Sequence, residues 1–307
     1  MSMVVGFDTS NYTTSVACFD GVNGQNRSRL LDVKPGELGL RQSDALFSHV
    51  KRLPELCERL FSDVPGQNIF AVGASTRPRA VEGSYMPCFL AGEGQARSLA
   101  SALGVPFHAF SHQQGHIAAS LWSAGRMDLM KTPHYAWHLS GGTTELLLVE
   151  PEGKTVRATK LGGTTDLSAG QLIDRTGQLL QLPFPSGKAL DALSRESDCR
   201  EFYKVKLNGL EFSFSGLQNK VQQKKQAGVS PADIARYTLN CVCRCIASVT
   251  QEARRLRPGL PVVFSGGVSS NSLLREVCGG KDTVFCPPEF STDNAMGIAV
   301  LTWLEEQ

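Results

Sequence analysis

Two histidines four residues apart, His112 and His116, have the spacing of metal ligands on a helix. Residues i and i+4 of an α-helix are separated by about 40° around the axis, with Cβ atoms about 6 Å apart. Two imidazoles at that spacing can share one metal ion, and Asp293 can supply a third ligand. The spacing alone equally fits a pair of solvated or internally hydrogen-bonded histidines.

Three turns built of small residues each follow an apolar run that predicts a β-strand. They are Asp8-Thr9-Ser10, Ser140-Gly141-Gly142-Thr143 and Ser265-Gly266-Gly267-Val268. Small residues after a strand let backbone N–H groups approach an anion without obstruction by side chains. One such turn also occurs for hairpin geometry alone, but three of them favour the actin–hexokinase–Hsp70 (ASKHA) type of fold, in which two lobes clamp a nucleotide. The sequence contains neither a Walker lysine loop nor a dinucleotide fingerprint.

A strand–turn–strand pattern opens both halves of the chain. The first copy comprises residues 4–10 and 14–19, and the second comprises 134–139 and 145–149. The recurrence predicts a duplicated α/β architecture, in which mixed sheets are flanked by helices.

A length of 307 residues suits about two domains. We place the first lobe at residues 1–128 and the second at 129–290. The C-terminal helix, in 291–307, is expected to pack back on the first lobe. Apolar periodicity predicts further helices at 44–61, 88–103, 167–182, 214–226 and 231–255.

The composition limits the compartment and the partners. With 31 basic and 29 acidic residues, it neither requires nor excludes a polyanionic partner. The basic runs 51–52 and 220–225 could contact nucleic acid, and each also fits a solvated helix face. No apolar run reaches the roughly 18 residues of a membrane span, and the N-terminus does not resemble a signal peptide. Nine scattered cysteines without paired metal-ligand spacing are typical of a cytoplasmic protein.

Several segments of the chain resemble motifs of one known family, the tRNA threonylcarbamoyl-adenosine synthases (TsaD in bacteria), once labelled glycoprotease. Residues 6–10 stand where the family has G-I-E-T-S, and residues 112–116 match its H-x-E-G-H. The other matching segments, spread over the second half of the chain, are 140–145 to S-G-G-H-T-Q, 169–175 to A-G-E-A-F-D-K, 212–217 to F-S-F-S-G-L, 265–271 to S-G-G-V-S-x-N and 292–294 to T-D-N. The chain is identified as a diverged member.

The resemblance implies an enzyme that transfers a threonylcarbamoyl group from its adenylate to the N6 amine of the adenosine next to the tRNA anticodon, releasing AMP. His112, His116 and Asp293 would hold one divalent metal ion, iron in preference to zinc. The metal would polarise and orient the acyl-adenylate, and a His2Asp set leaves coordination positions open. No catalytic residue beyond these ligands is implied.

The resemblance also implies a substrate site and partners. The implied substrate-binding residues are His138, Leu139, Ser140, Gly141, Gly142, Asp174, Gly187, Gly266, Gly267 and Asn271. Asp8, Thr9 and Ser10 are candidates for a phosphate-binding turn. Besides tRNA and threonylcarbamoyl-adenylate, the expected partners are a smaller paralogue of the same fold and a P-loop ATPase; no membrane is expected.

The chain departs from the family pattern mainly by losing ionisable residues. The replacements are Tyr12 and Thr13 for two carboxylates, Gln114 and Gln171 for two acids, Thr143 for a histidine, Leu167 for one of an acidic pair and Gln218 for a lysine. A non-catalytic nucleotide- and metal-binding paralogue in the modification complex, or an ATPase of the same fold, is therefore an alternative. A zinc peptidase is disfavoured because Gln113 occupies the position of its general base.

Overall fold

The computed structural model describes residues 2–10, 12–32, 41–64, 68–287, 290 and 295–307. The chain forms two compact units, each with its own apolar core. The first comprises Met1–Thr132, Glu150–Ala158 and Glu289–Gln307, and the second comprises Pro133–Val149 and Thr159–Pro288. Glu150–Ala158 thus belongs to the first unit, whereas the sequence-based division assigned these residues to the second lobe.

The strands of the described residues form two mixed sheets that share a strand order. The strands of the first sheet are β1 (Ser2–Thr9), β2 (Thr13–Phe19), β3 (Gly24–Leu30), β4 (Asn68–Arg77) and β5 (Phe107–Ser111). Those of the second are β6 (His134–Leu139), β7 (Thr144–Glu152), β8 (Thr155–Thr164), β9 (Leu207–Asn208), β10 (Glu211–Phe212), β11 (Val262–Ser265) and β12 (Thr283–Phe285). The first sheet has the order β3-β2-β1-β4-β5, and the run β8-β7-β6-β11-β12 repeats it in the second. This repeat confirms the expected duplicated α/β architecture.

The direction of the strands decides which loops meet. In each sheet the first two strands are an antiparallel hairpin, β1–β2 and β6–β7. The next strand is parallel to the first one, as β4 is to β1 and β11 is to β6. Because parallel strands end at one edge of a sheet, the loops after β1, β4 and β5 share an edge, and so do those after β6 and β11.

Helices flank both sheets. They are α1 (Gln42–Asp63), α2 (Phe89–Leu103), α3 (His112–Ser123), α4 (Ala169–Leu179), α5 (Gly187–Ser194), α6 (Ser215–Gln226), α7 (Pro231–Leu256), α8 (Ser272–Cys278) and α9 (Met296–Glu305). Helix α4 is shorter than the predicted 167–182, because Ser168 caps its start and the chain leaves the helical conformation after Leu179, with Gln181 at φ +61°. In the part of the chain that the structure describes, every helix is too short or too polar to cross a membrane.

Helix α9 packs so closely against its neighbours in the first unit that their backbones are in contact. It contacts β1 and α3 at glycines, where the backbones approach closely. A Cβ at Gly6 of β1 would lie only 2.5 Å from the amide nitrogen of Ala299. A Cβ at Gly297 would overlap the carbonyl of Gly115 in α3. The position of α3, which carries the His112/His116 pair, therefore depends on this contact between glycines.

Candidate functional site

Helix α3 begins directly after β5 because Ser111 caps it. The Ser111 hydroxyl accepts a hydrogen bond from the Gln114 amide (3.2 Å), and Gln114 Oε1 accepts one from the Ser111 amide (2.9 Å). Gln114 Nε2 donates to the Val156 carbonyl at 2.9 Å. An ionised carboxylate could complete the capping box but could not donate to Val156. Gln114 therefore suits its surroundings although the family motif has an acid there.

The two histidines of α3 turn their Nε2 atoms towards each other. The Nε2 atoms of His112 and His116 are 2.9 Å apart, and the rings are nearly perpendicular, with centroids 4.3 Å apart. His112 Nδ1 lies 2.9 Å from Asp8 Oδ2 and 3.1 Å from Oδ1. Because a carboxylate only accepts, Nδ1 carries the proton in the neutral ring, and the Nε2 lone pair faces His116.

This arrangement fits a divalent metal ion. Two imidazole nitrogens at about 2.1 Å from one tetrahedral ion lie about 3.4 Å apart, so a separation of 2.9 Å needs only a small opening. The carboxylate on Nδ1 is the partner that metal-ligating histidines usually have. Asp293, the expected third ligand, lies outside the described residues. Among the residues described, no group of three or more His, Cys, Asp or Glu side chains is arranged to hold a metal.

Asp8, assigned from sequence to a phosphate-binding turn, is a buried partner of His112. Its side chain is 2% exposed, and the hydroxyl of Ser75 donates to Oδ1. The Ser15 hydroxyl donates to the Asp8 carbonyl at 3.0 Å. Sequence reasoning missed Ser75 and the contact of Asp8 with His112, and no spacing in the chain would have indicated either one.

Thr9 and Ser10 are likewise engaged inside the first unit. Thr9 Oγ1 donates to the Cys88 carbonyl (2.9 Å) and accepts from the Gly92 amide (3.1 Å). His49 Nε2 donates to the Ser10 carbonyl (2.8 Å), and its Nδ1 lies 2.8 Å from the hydroxyl of Thr14. Burial lowers the pKa of His49. The phosphate-binding role of Asp8, Thr9 and Ser10 stays a prediction.

In the second unit, β6 ends in the glycine turn proposed to bind substrate. His138, half-buried, lies in register with Ser265 of β11, and Leu139 is buried in the core. The Ser140 amide donates to the Thr143 carbonyl (2.8 Å), and the Thr143 amide donates to Ser140 Oγ (3.0 Å). A Cβ at Gly141 or Gly142 would have no atom within 4 Å. The outer face of this turn is therefore open to a ligand.

The turn after β11 lies beside the one after β6. Gly266 has φ +89°, and a Cβ there would lie 2.5 Å from the Leu139 carbonyl carbon, so only glycine fits. A Cβ at Gly267 would have no atom within 4 Å. The structure thus brings Gly266 next to the strand that carries the Ser140 turn.

Helix α4 supports the Ser140 turn from the other side. Ser168 Oγ donates to the Gly141 carbonyl (2.6 Å), and the Ala169 amide donates to Thr144 Oγ1 (2.8 Å). A Cβ at Gly170 would lie 2.6 Å from the Gly141 Cα and closer still to the Ser140 carbonyl oxygen. The turn and the first residues of α4 are therefore packed backbone to backbone.

We expect Gly170→Ala to weaken binding of an adenylate, because the new methyl group must displace the Ser140 turn. A shift of about 1 Å in a binding loop can cost about 100-fold in function. Isothermal titration with AMP would measure the loss. Gly216→Ala in α6, where a Cβ meets open space, is the matched control and should leave affinity unchanged. Equal affinities for Gly170→Ala and wild type would contradict a role of this turn in binding.

Asp174 and Gly187 are brought together by the start of α5. Asp174 Oδ1 accepts from the Ser186 amide at 2.8 Å, directly before Gly187. A Cβ at Gly187 would have no atom within 4 Å. Burial raises the pKa of Asp174, and the hydrogen bond from Ser186 opposes that shift. The two predicted adenylate contacts therefore lie within one small region.

Asn271, another predicted contact, caps α8 and is held by an aspartate that sequence reasoning missed. Its Oδ1 accepts from the Leu274 amide (3.0 Å), and its Nδ2 donates to Asp191 Oδ1 (3.0 Å). Asp191 also accepts from the hydroxyl of Ser272 (2.8 Å). Asp191 is on α5, and no local spacing indicates its contact with Asn271, which lies 80 positions further along the chain.

Asp166, the acid that remains of the family's acidic pair, anchors the segment before α6. Its carboxylate accepts from the amides of Leu167 (2.5 Å), Phe214 (2.9 Å) and Ser215 (3.3 Å) and from the hydroxyl of Ser213. Partial burial alone would raise the pKa of Asp166, but these hydrogen bonds outweigh it and hold the pKa well below its usual range. Its side chain therefore has a structural role in joining β8 to α6.

Comparisons with known proteins identify relatives over most of the chain. A sequence profile described as tRNA N6-adenosine threonylcarbamoyltransferase (TsaD) matches residues 39–300. A protein of that name from Thermus thermophilus is 32% identical over 84% of this chain and 78% of its own length. Another, from Nitrosomonas europaea, is 30% identical over 97% of this chain and 91% of its own length.

Solved structures show the fold. Full-length HypF, in a phosphate- and nucleotide-bound form, aligns with a TM-score of 0.62 at 13% identity, over 98% of this chain and 46% of HypF. A ROK hexokinase from Thermus thermophilus aligns with a TM-score of 0.53 at 15% identity, over 99% of both chains. These likenesses confirm the duplicated actin/hexokinase/Hsp70-like fold expected from the sequence. The profile and the relatives show that the chain belongs to the tRNA N6-adenosine threonylcarbamoyltransferase family and is a transferase.

Proposed function

We propose that this enzyme transfers the threonylcarbamoyl group from threonylcarbamoyl-adenylate to the N6 amine of the adenosine adjacent to the tRNA anticodon. A bond forms between N6 and the carbamoyl carbon, the bond from that carbon to the phosphate oxygen breaks, and AMP leaves together with the proton that N6 loses. We propose that the reaction depends on a divalent metal ion, iron in preference to zinc.

The observation that carries this proposal is the pairing of His112 and His116. Their Nε2 atoms converge at 2.9 Å, and Asp8 holds His112 in the tautomer that a metal requires. With Asp293 they would hold the ion, which supplies Lewis-acid polarisation and a fixed orientation for the acyl group. Asp8 acts through His112, since both of its oxygens face that ring or Ser75.

The second unit supplies the groups that would bind the adenylate. The open faces of Gly141 and Gly142 present backbone to an anionic phosphate or acyl oxygen. Asp174 can accept a hydrogen bond from a sugar hydroxyl beside Gly187, where no Cβ blocks approach. Asn271 is fixed in one orientation by the Leu274 amide and by Asp191.

We propose that the enzyme works in the cytoplasm, with a smaller paralogue of the same fold and a P-loop ATPase. The family resemblance supports this set of partners. The proposed chemistry consumes one acyl-adenylate per tRNA, and we propose that another enzyme supplies it.

A transfer assay tests the proposal. Iron- or zinc-reconstituted protein, threonylcarbamoyl-adenylate and unmodified tRNA are incubated with and without the candidate partners, and the modified nucleoside is measured by mass spectrometry. His112→Ala should abolish the product. His108→Ala is the matched control, because His108 belongs to the same unit but contacts Glu306 (2.6 Å) instead of the pair.

The outcomes separate the alternatives. Product formed by wild type and by His108→Ala, but not by His112→Ala, would support the proposal. Binding of metal and adenylate without product, in the presence of the partners, would contradict it and leave a non-catalytic paralogue. ATP hydrolysis without any modified nucleoside would identify an ATPase.

A further inference from the structure

A groove lies between α4 and α6 on the surface of the second unit. None of the residues that line it has a role in the proposed reaction. It has a volume of about 380 Å³. Leu179 and Val221 line its floor, and Val221 is 2% exposed. The rim consists of longer polar side chains, which are Arg175 and Gln178 from α4 and Gln218 and Gln222 from α6. Among the residues that the structure describes, no carboxylate lines it.

The rim is rich in groups that recognise nucleobases. Arg175 donates to Gln218 Oε1 at 2.8 Å, which uses one of the five N–H donors of the guanidinium and holds it in place. Arginine pairs with guanine edges and glutamine with adenine edges, and a guanidinium also stacks on a base. A shallow groove with an apolar floor and an amide rim therefore fits one planar base.

Charge favours a polyanion at this surface. Helix α6 carries Lys220, Lys224 and Lys225 and no acidic residue. Lys225 lies seven residues after Gln218 and three after Gln222, so it extends the same stripe. The second unit as a whole has 17 Lys and Arg against 12 Asp and Glu, whereas the first has 14 against 17. An acidic peptide would satisfy the charge but would not use the amide rim.

We propose that the α4/α6 groove binds an unpaired nucleotide of the tRNA anticodon arm, with the base against Arg175 and Gln222 and a phosphate on Lys225. This inference rests on the proposed function, which makes tRNA the substrate. Sequence-specific RNA recognition targets unpaired bases, because only these expose their edges and faces. Helix α4 also carries Asp174, one residue before Arg175, so one helix contributes to both the predicted adenylate contacts and the groove.

The inference is tested by measuring the affinity of Arg175→Ala and of Lys225→Ala for unmodified tRNA and for its anticodon stem-loop. Arg175→Ala should raise the Kd for the stem-loop about 5- to 150-fold and leave the Kd for a fully paired duplex unchanged. Lys225→Ala should lower the slope of log K against log salt by about 1. Lys281→Ala, an exposed lysine before β12, is the matched control. Arg175 lines the groove, and Lys225 lies one turn further along the same face of α6, whereas Lys281 lies on neither helix. Thermal melting would check that each variant is folded.

Failure of the inference is distinguishable from failure of the proposed function. If wild type binds neither the stem-loop nor tRNA, the proposed function fails. If wild type binds the stem-loop and Arg175→Ala binds it equally well, the groove assignment is overturned. Loss of a partner protein by these variants with unchanged RNA affinity would also overturn it and identify a protein interface. Affinity for the adenylate should be unchanged in every variant.

Discussion

Asp8→Asn is expected to weaken metal binding about 10- to 100-fold, the usual effect of removing a partner that orients a metal-ligating histidine. The asparagine is isosteric, but its neutral oxygen accepts more weakly than the carboxylate that lies 2.9 Å from His112 Nδ1. Titration of the metal-free protein with Zn2+ against a chromophoric chelator would measure the affinity. Nitrogen-15 NMR of the imidazoles gives an independent readout, because the proton of His112 should no longer be confined to Nδ1.

Two variants make this experiment decisive. Asp20→Asn changes another aspartate of the same unit, one that accepts from the amides of Val22 and Asn23 in an exposed turn, and should leave zinc affinity unchanged. Asp8→Glu restores a carboxylate and should recover part of the affinity. A wild-type affinity and an unchanged His112 tautomer in Asp8→Asn would show that Asp8 does not position the histidine.

The contact between Asp8 and His112 illustrates what a single sequence cannot show. The two residues are 104 positions apart, and the small residues after Asp8 pointed to a phosphate turn. Only the sheet order β1-β4-β5 brings the ends of these strands to one edge, where Asp8, Ser75 and His112 meet. Local periodicity contains no information about that order. The capping of α3 by Ser111, in contrast, depends on neighbours in sequence and could be predicted.

The difference between local sequence patterns and long-range contacts also explains which elements were predicted. The strands β1 and β6 are apolar and buried on both faces, so each was evident as a run before a turn. Strand β3, Gly24–Leu30, was missed because it is polar and forms the edge of its sheet, ordered by backbone pairing with β2. Helix α5, with eight residues, is too short to show periodicity. Its omission also hid Asp191, the residue that holds Asn271.

Gly297→Ala is expected to destabilise the first unit and to disturb the histidine pair. The new methyl group would lie 2.6 Å from the Gly115 carbonyl carbon and 2.9 Å from the Ala119 amide nitrogen. Alanine gains about 1 kcal/mol over glycine in a helix interior, but overpacking costs about 1–3 kcal/mol or more. The overlap wins because its partners are backbone atoms, which cannot rotate away. We expect a net loss of about 2 kcal/mol and a Tm lower by about 4–8 °C.

Separation of α9 from α3 should also move His116, which follows Gly115 directly, and so weaken zinc binding. Differential scanning calorimetry and the zinc titration would measure the two effects. Gly94→Ala in α2 is the matched control, because this exposed helical glycine has no atom within 4 Å of a Cβ. That variant should gain about 0.5–1 kcal/mol and keep its zinc affinity. If Gly297→Ala melted at the wild-type temperature, the close backbone packing of α9 on α3 would be wrong, and the support it gives to the histidine pair would be wrong with it.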